Sequence, residues 1–255
     1  MPGARRKRRR FAGNHQQSWL YGRHAIEAML AGDRWRPAEL YVADDAPPLP
    51  PEVAADLAVE DLAVETVTAD RLAELCGSRE HQGAAARMPP YPYLGLTDLL
   101  AAPPRRLIVL DRIQYANNFG TILRSAEAFG FDACLVTDRG QCGVTAAIGR
   151  MSAGAVFHVP VCQVESLATA IVTLRADGLP IWSTDPEGGQ RCDAADLTGR
   201  VGVVIGAEHD GVSPGVTAVC DGTLLIPQQG RTQSLNASSS ASVLMYEAMR
   251  QQSDG

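Results

Sequence analysis

Val203-Val204-Ile205-Gly206-Ala207-Glu208-His209-Asp210-Gly211 changes character halfway along. Its first three residues are β-branched and apolar, as in a strand covered on both faces. The remainder is a short acidic loop bounded by two glycines, whose missing Cβ atoms let a ligand approach the backbone closely. The same residues also read as an ordinary glycine turn, and a lone loop histidine such as His209 is more often incidental than catalytic. What lies on either side separates the readings. Upstream, Leu107-Ile108-Val109-Leu110-Asp111 runs into Asn117-Asn118-Phe119-Gly120-Thr121-Ile122-Leu123-Arg124; downstream, Leu224-Leu225-Ile226-Pro227 runs into Gln228-Gln229-Gly230-Arg231-Thr232-Gln233-Ser234-Leu235-Asn236. An apolar strand that ends in a polar loop therefore occurs three times.

Working outward, short apolar runs at 107–110, 134–136, 159–161, 179–182, 201–205 and 223–226 alternate with helical patterns, which predicts a mostly parallel sheet flanked by helices. By pattern alone this is an open, doubly wound α/β sheet. In the first loop, Asn118 and Gly120 suit a turn and helix start; Ile122, Ala126 and Phe129 share a core face and leave Arg124 pointing elsewhere. In the third, Ser234 or Asn236 suits the N-cap of a helix with Ala241, Leu244, Met245 and Ala248 on one face. Capping leaves the long polar loop before it unexplained.

The first third of the chain reads as a small α/β module. Ile26, Met29 and Leu30 have helical spacing with Gly32 as a stop, 40–42 and 64–67 suit strands, and 53–57 and 69–75 suit helices. Met88-Pro89-Pro90-Tyr91-Pro92-Tyr93 resists helix and ladder alike, because proline removes donors and restricts its predecessor. It is the natural connector. At the start, Arg5, Arg6, Lys7, Arg8, Arg9 and Arg10 hold six of the 23 basic residues, leaving 17 against 29 acidic ones. A block of like charge buries nothing, so residues 1–16 are expected to form a disordered arm, either a solvated tail or one that touches RNA phosphates.

Several classes are excluded. With 45% hydrophobic residues in 255, no apolar stretch approaches the roughly 18–20 residues that span a bilayer. Phe11-Ala12-Gly13-Asn14 is too polar for the apolar part of a secretory signal, so a cytoplasmic protein is expected. Cys76, Cys134, Cys142, Cys162, Cys192 and Cys220 lie far apart, without metal-ligand spacing, and read as small buried hydrophobes; no metal is expected. The phosphate-loop, dinucleotide, zinc-protease and nucleophile-elbow signatures are all missing.

In order and spacing, the three loops resemble the SpoU (TrmH-like) family of RNA ribose 2′-O-methyltransferases within the SPOUT superfamily. The resemblance rests on Asn118-Phe119-Gly120 with Arg124, on Gly206 to Gly211, and on Ile226-Pro227, Gly230 and Ser234-Leu235-Asn236-Ala237-Ser238 leading to Tyr246-Glu247-Ala248 and Arg250-Gln251. Tyr21-Gly22-Arg23-His24-Ala25 and His81-Gln82-Gly83 look like the substrate-binding extension of ribosomal-RNA members. Two departures stand out: Tyr115-Ala116-Asn117 replaces the usual Asp-Pro ahead of Asn118, and Gln228 replaces a common methionine.

This resemblance implies a parallel sheet with a C-terminal trefoil knot, an exception to the rule against knotted chains, preceded by a small α/β domain like ribosomal protein L30e. The implied division is a basic arm (1–16), an RNA substrate-binding domain (17–90), a linker (91–104) and a methyltransferase domain (105–255). S-adenosylmethionine would lie against Ile205, Gly206, Ala207, Gly211, Ile226, Gln228, Ser234 and Leu235. Asn118, Arg124, Glu208, Ser234 and Asn236 would carry catalysis in a homodimer, with Arg124 supplied by the partner. Arg23 and the arm residues Arg5, Arg6, Lys7 and Arg8 would meet RNA. The implied substrate is a guanosine of large-subunit ribosomal RNA, with transfer RNA or a ribosomal adenosine of the antibiotic-resistance type as alternatives. A non-catalytic RNA-binding protein of ribosome assembly is the reading from another class.

Overall fold

The computed structural model describes residues 18–48, 50, 62–231 and 234–253. The basic arm with Arg5, Arg6, Lys7 and Arg8, and the helical stretch expected at 53–57, lie outside the described residues.

The first module holds β1 (Trp19–Tyr21), α1 (Arg23–Ala31), β2 (Glu39–Ala43), β3 (Val64–Val67), α2 (Ala69–Cys76) and β4 (Ala84–Arg87). Its sheet has the order β1-β4-β2-β3, with β2 and β3 parallel and the other pairs antiparallel. α2 starts where Thr68 Oγ1 accepts from Arg71 N at 3.3 Å and ends at Gly77, whose φ is 71°. The sequence pattern misses β4: alanine favours helix, but Ala84, Ala85 and Ala86 are buried at 2%, 0% and 0% exposure between two partner strands. Tertiary pairing overrides a weak local preference.

The second part comprises α3 (Leu96–Ala101), β5 (Arg106–Asp111), α4 (Ala116–Ala128), β6 (Ala133–Thr137), α5 (Ala146–Met151), β7 (Val161–Val164), α6 (Leu167–Ala176), β8 (Ile181–Thr184), β9 (Gln190–Arg191), β10 (Val201–Gly206), α7 (Pro214–Thr217), β11 (Gly222–Leu225) and α8 (Ala237–Ser253). All seven strands run parallel, in the order β7-β6-β5-β10-β8-β11-β9. Successive side chains of a strand alternate faces. Accordingly Ile108, Leu110, Val203 and Ile205 join one apolar cluster with α4 and α8, whereas Leu107, Val109 and Val204 join another with α6.

Strand limits differ from the expected ones by about two residues. β7 starts at Val161 rather than 159, because Pro160 has no N–H for a ladder and contributes only its carbonyl, to Cys134 N at 2.9 Å. β8 likewise runs over Ile181–Thr184 and β11 over Gly222–Leu225. β9 carries no apolar residue and had no sequence signal.

Residues 91–104, expected as a linker, include α3 and a firmly held strap. The Tyr91 hydroxyl accepts from Val161 N at 3.1 Å, the Tyr93 hydroxyl accepts from Val144 N at 2.6 Å, and Leu94 bridges Cys162. Tyrosine hydroxyls thus add acceptors to the strap, as does the Pro89 carbonyl, which accepts from Trp35 Nε1 at 2.9 Å. Trp35 packs on Tyr91 and Phe157, with centroids 5.0 and 5.6 Å away, and the Arg150 guanidinium lies 3.7 Å over the Tyr21 ring. The first module is therefore seated on the same face of the large sheet as α4 and α5.

Candidate active site

The middle strands β5, β10, β8 and β11 end on one side of the sheet, the position at which open α/β sheets hold ligands. After β10 the chain closes on itself: Ala207 N donates to Gly211 O at 3.1 Å and Gly211 N donates to Ala207 O at 2.9 Å. Gly211 has φ +62°, and a Cβ added to Gly206 would lie 2.0 Å from the Gly211 carbonyl carbon. Gly206 has no room for a side chain, whereas Gly211 has room but a left-handed backbone that strains any other residue.

This loop is tied to the end of β5. Arg112, with φ +64°, donates to Gly211 O at 3.1 Å, to Asp210 at 3.4 Å and to Asp111 at 3.3 Å. Asp111 is 4% exposed and its other oxygen accepts from Ser213 N at 2.6 Å. A left-handed non-glycine residue costs on the order of 1 kcal/mol, and here three polar contacts hold it.

Glu208 stands at the tip of the same loop and accepts from the side-chain amides of both Asn118 and Asn236, the latter at 3.1 Å. Asn236 Nδ2 also lies 3.3 Å from Asn118 Oδ1. The Asn236 side-chain oxygen faces the other way, accepting from Ser238 N at 2.9 Å and Ser238 Oγ at 2.6 Å. Asn236 is therefore the N-cap of α8 and a partner of Glu208 at once. Three residues separated by up to 118 positions meet here.

Asn118 and Gly120 lie inside α4, which starts at Ala116, rather than ahead of it as expected. A Cβ on Gly120 would sit 2.5 Å from Met151 Cβ and 2.9 Å from the Met151 backbone carbon. The glycine permits close packing of α4 on α5 rather than a turn.

A cavity of about 470 Å³ opens beside this trio. Ile205, Gly206, Ala207, Gly211, Ile226, Gln228, Ser234 and Leu235 all line it, together with Glu208. Sequence reasoning missed Thr184 at the end of β8, Asp185 and Glu187 on the loop after it, and Leu244 on α8. The signal was there: Asp185-Pro186-Glu187-Gly188-Gly189 follows a predicted strand at its carboxyl end. Four carboxylates, Asp185, Glu187, Glu208 and Asp210, line the cavity, and among the described residues no lysine or arginine does. A smaller hollow of about 90 Å³ lies across the 207–210 loop, which walls both.

Arg124 is not among the cavity's lining residues; it projects exposed from α4. Arg23, expected to meet RNA, spends its guanidinium on Glu27 at 2.9 Å and on the carbonyls of Pro47 and Pro48 at 2.8 and 2.6 Å. All six cysteines are free. Burial pushes every thiol up, Cys162 and Cys220 to about 11, which leaves little thiolate for nucleophilic chemistry at neutral pH. Among the described residues, no helix is long and apolar enough to cross a membrane.

A parallel α/β sheet with a ligand cavity at its strand ends, walled by a glycine-bounded acidic loop, defines a class of protein; comparison supplies the family. The profile of the SpoU rRNA methylase family matches residues 105–246, and that of RNA 2′-O ribose methyltransferase substrate binding matches residues 19–94. The chain belongs to the SpoU rRNA methylase family. A Synechocystis protein named as an uncharacterized tRNA/rRNA methyltransferase is 34% identical over 242 residues, covering 91% of this chain and 62% of that protein. The chain thus spans less than two thirds of that relative's length. A Staphylococcus epidermidis protein named for the TrmH family of tRNA/rRNA methyltransferases is 32% identical over 240 residues, covering 91% of this chain and 94% of its own. Among solved structures, the SpoU methyltransferase AviRb from Streptomyces viridochromogenes, crystallised in complex with AdoMet, has a TM-score of 0.76 and 26% identity, covering 93% of this chain and 91% of that one.

Proposed function

We propose that this chain transfers a methyl group from S-adenosylmethionine to a ribose 2′-hydroxyl of RNA, its substrate being a guanosine in large-subunit ribosomal RNA. The observation that carries the reading is that Asn118 and Asn236 both donate to Glu208, which lines the 470 Å³ cavity. The residues present suit the donor. The cavity falls within the 300–1,000 Å³ of small-molecule sites; Ile205, Ile226, Leu235 and Leu244 offer apolar surface for a purine, and Asp185, Glu187 and Glu208, which have no arginine or lysine partner among the described residues, favour a cation. S-adenosylmethionine, when bound, supplies an already activated methyl on a sulfonium.

What remains for the protein is to place a poor nucleophile and favour its developing alkoxide character. Asn118 and Asn236 fix the Glu208 carboxylate, and Ser234 joins them in orienting the ribose and the loop. Arg124 of a partner subunit supplies a positive charge to the ribose or its phosphate. A homodimer with composite sites is supported by the exposure of Arg124 on α4 and of Tyr246 and Val243, 48% and 40% exposed, on α8, two helices joined through Ser125 and Ser242 at 2.8 Å. The family's trefoil-knot threading, the domain limits 17–90 and 105–255 and a cytoplasmic setting belong to the same reading. Ribosomal RNA is favoured over transfer RNA by the substrate-binding segment at 19–94.

The test is methyl transfer from radiolabelled S-adenosylmethionine to total RNA of a strain lacking the gene, followed by size fractionation, with Arg124→Ala in parallel. Label in large-subunit RNA that the variant loses is the expected result. Absence of both label and donor binding would move the chain to the non-catalytic RNA-binding class.

A further inference from the structure

The smaller hollow is separate from the larger cavity, yet it shares the 207–210 wall with it and includes Asn118. At its edge stands Tyr115, 61% exposed, the most exposed large hydrophobic side chain among the described residues. Tyr115 occupies the N-cap position of α4 without capping the helix through its side chain. It contributes little to the fold, and its ring lies in water three residues from Asn118. It also falls in the stretch where this chain lacks the usual Asp-Pro. Beside it, Gln114 is exposed and has no hydrogen bond among the described residues, whereas Arg112 of the same hollow is committed to Asp111, Asp210 and Gly211.

An exposed aromatic face next to an uncommitted amide matches what an unstacked nucleobase requires: a surface for stacking, and donors and acceptors for its edge. We propose that Tyr115 is the stacking platform for the base of the nucleotide whose ribose reaches Asn118 and Glu208, with Gln114 hydrogen-bonding that base. The inference rests on the methyl-transfer reading and names the substrate side of the same site. The small hollow does not have to enclose the base, since a stacked ring needs contact on one face only.

The experiment compares wild type, Tyr115→Ala and Tyr115→Phe for transfer kinetics on large-subunit ribosomal RNA, for direct binding of that RNA on filters, and for S-adenosylmethionine binding by calorimetry. Tyr115→Ala should raise KM and weaken RNA binding roughly tenfold or more, with donor affinity and Tm unchanged. Tyr115→Phe, which keeps the ring face, should stay within about threefold of wild type. Unchanged RNA affinity in Tyr115→Ala would overturn the proposal, as would an equal loss in Tyr115→Phe, which would assign the effect to the hydroxyl. A wild-type chain that transfers no label would count against the methyl-transfer reading, and the filter comparison would still decide the role of Tyr115.

Discussion

Asn236 shows how one side chain serves fold and site together. Its oxygen caps α8 through Ser238, and its amide holds Glu208. The two roles are separable by substitution. Serine is an equally good N-cap but has no amide to reach the carboxylate, so Asn236→Ser should unfold within about 0.5 kcal/mol of wild type while methyl transfer falls by tenfold or more. Asn236→Ala loses both, the cap being worth about 0.5–2 kcal/mol. Thermal melts alongside transfer assays check the pair; equal activity in Asn236→Ser and wild type would reduce Asn236 to a cap. At this scale the sequence was informative about residue types but not about pairings. Ser234 and Asn236 were equal candidates for the cap, and nothing local indicated that Asn118, 118 positions away, would meet the same carboxylate. Arg112 was invisible for a related reason: its left-handed backbone and three-way contact exist only once the β5 and β10 loops lie side by side.

At the scale of elements, the β-branched strands were legible because burial on both faces leaves a continuous apolar run. Each main strand of the large sheet had that mark; β4 and β9 did not. Ala84–Arg87 is a strand by virtue of its neighbours, and Gln190–Arg191 by virtue of one ladder to β11. Gly120 makes the contrast sharper, since a glycine near a predicted helix start reads as a turn, whereas its function is to let α4 lie on α5. Gly120→Ala would ordinarily gain about 1 kcal/mol of helix propensity. Here the new Cβ would fall 2.5 Å from Met151 Cβ and 3.1 Å from Ser152 N. Because part of the obstruction is backbone, the helices must separate, at a cost of about 1–3 kcal/mol. Net destabilisation in urea melts is expected; a stabilised variant would mean that the two helices have room to part.

For the whole molecule, stability depends on groups kept neutral by burial. Desolvation raises Tyr91 to about 12, against an ordinary phenol near 10, and raises Cys162 and Cys220 to about 11. Above pH 9 the unfolded chain releases these protons before the native one does, so the free energy of unfolding falls as pH rises from about 9 through 11 for the thiols and on to about 12 for Tyr91, and is insensitive to these groups below that range. Tm measured across this window should decline, and the Cys162→Ala, Cys220→Ala double variant should decline less steeply; an unchanged slope would show that the thiols are not the groups responsible.

The composite site proposed above would likewise belong to the whole molecule, since it needs two protomers. Glu208 lines its own chain's cavity, whereas Arg124 stands outside it, exposed on α4. If each site takes Glu208 from one protomer and Arg124 from the other, Arg124→Ala and Glu208→Gln are each inactive alone. A mixed dimer then has one site that carries both lesions and one that carries neither. Random reassortment of equal amounts makes half the dimers mixed, which restores roughly a quarter of the wild-type sites. The measurement is transfer activity after the two inactive variants are unfolded together and refolded, with each refolded alone as control. Activity that stays at the level of the separate variants would place Arg124 in the site of its own chain, or outside it altogether, and the exposed α4 and α8 surface would lose its part in the reaction.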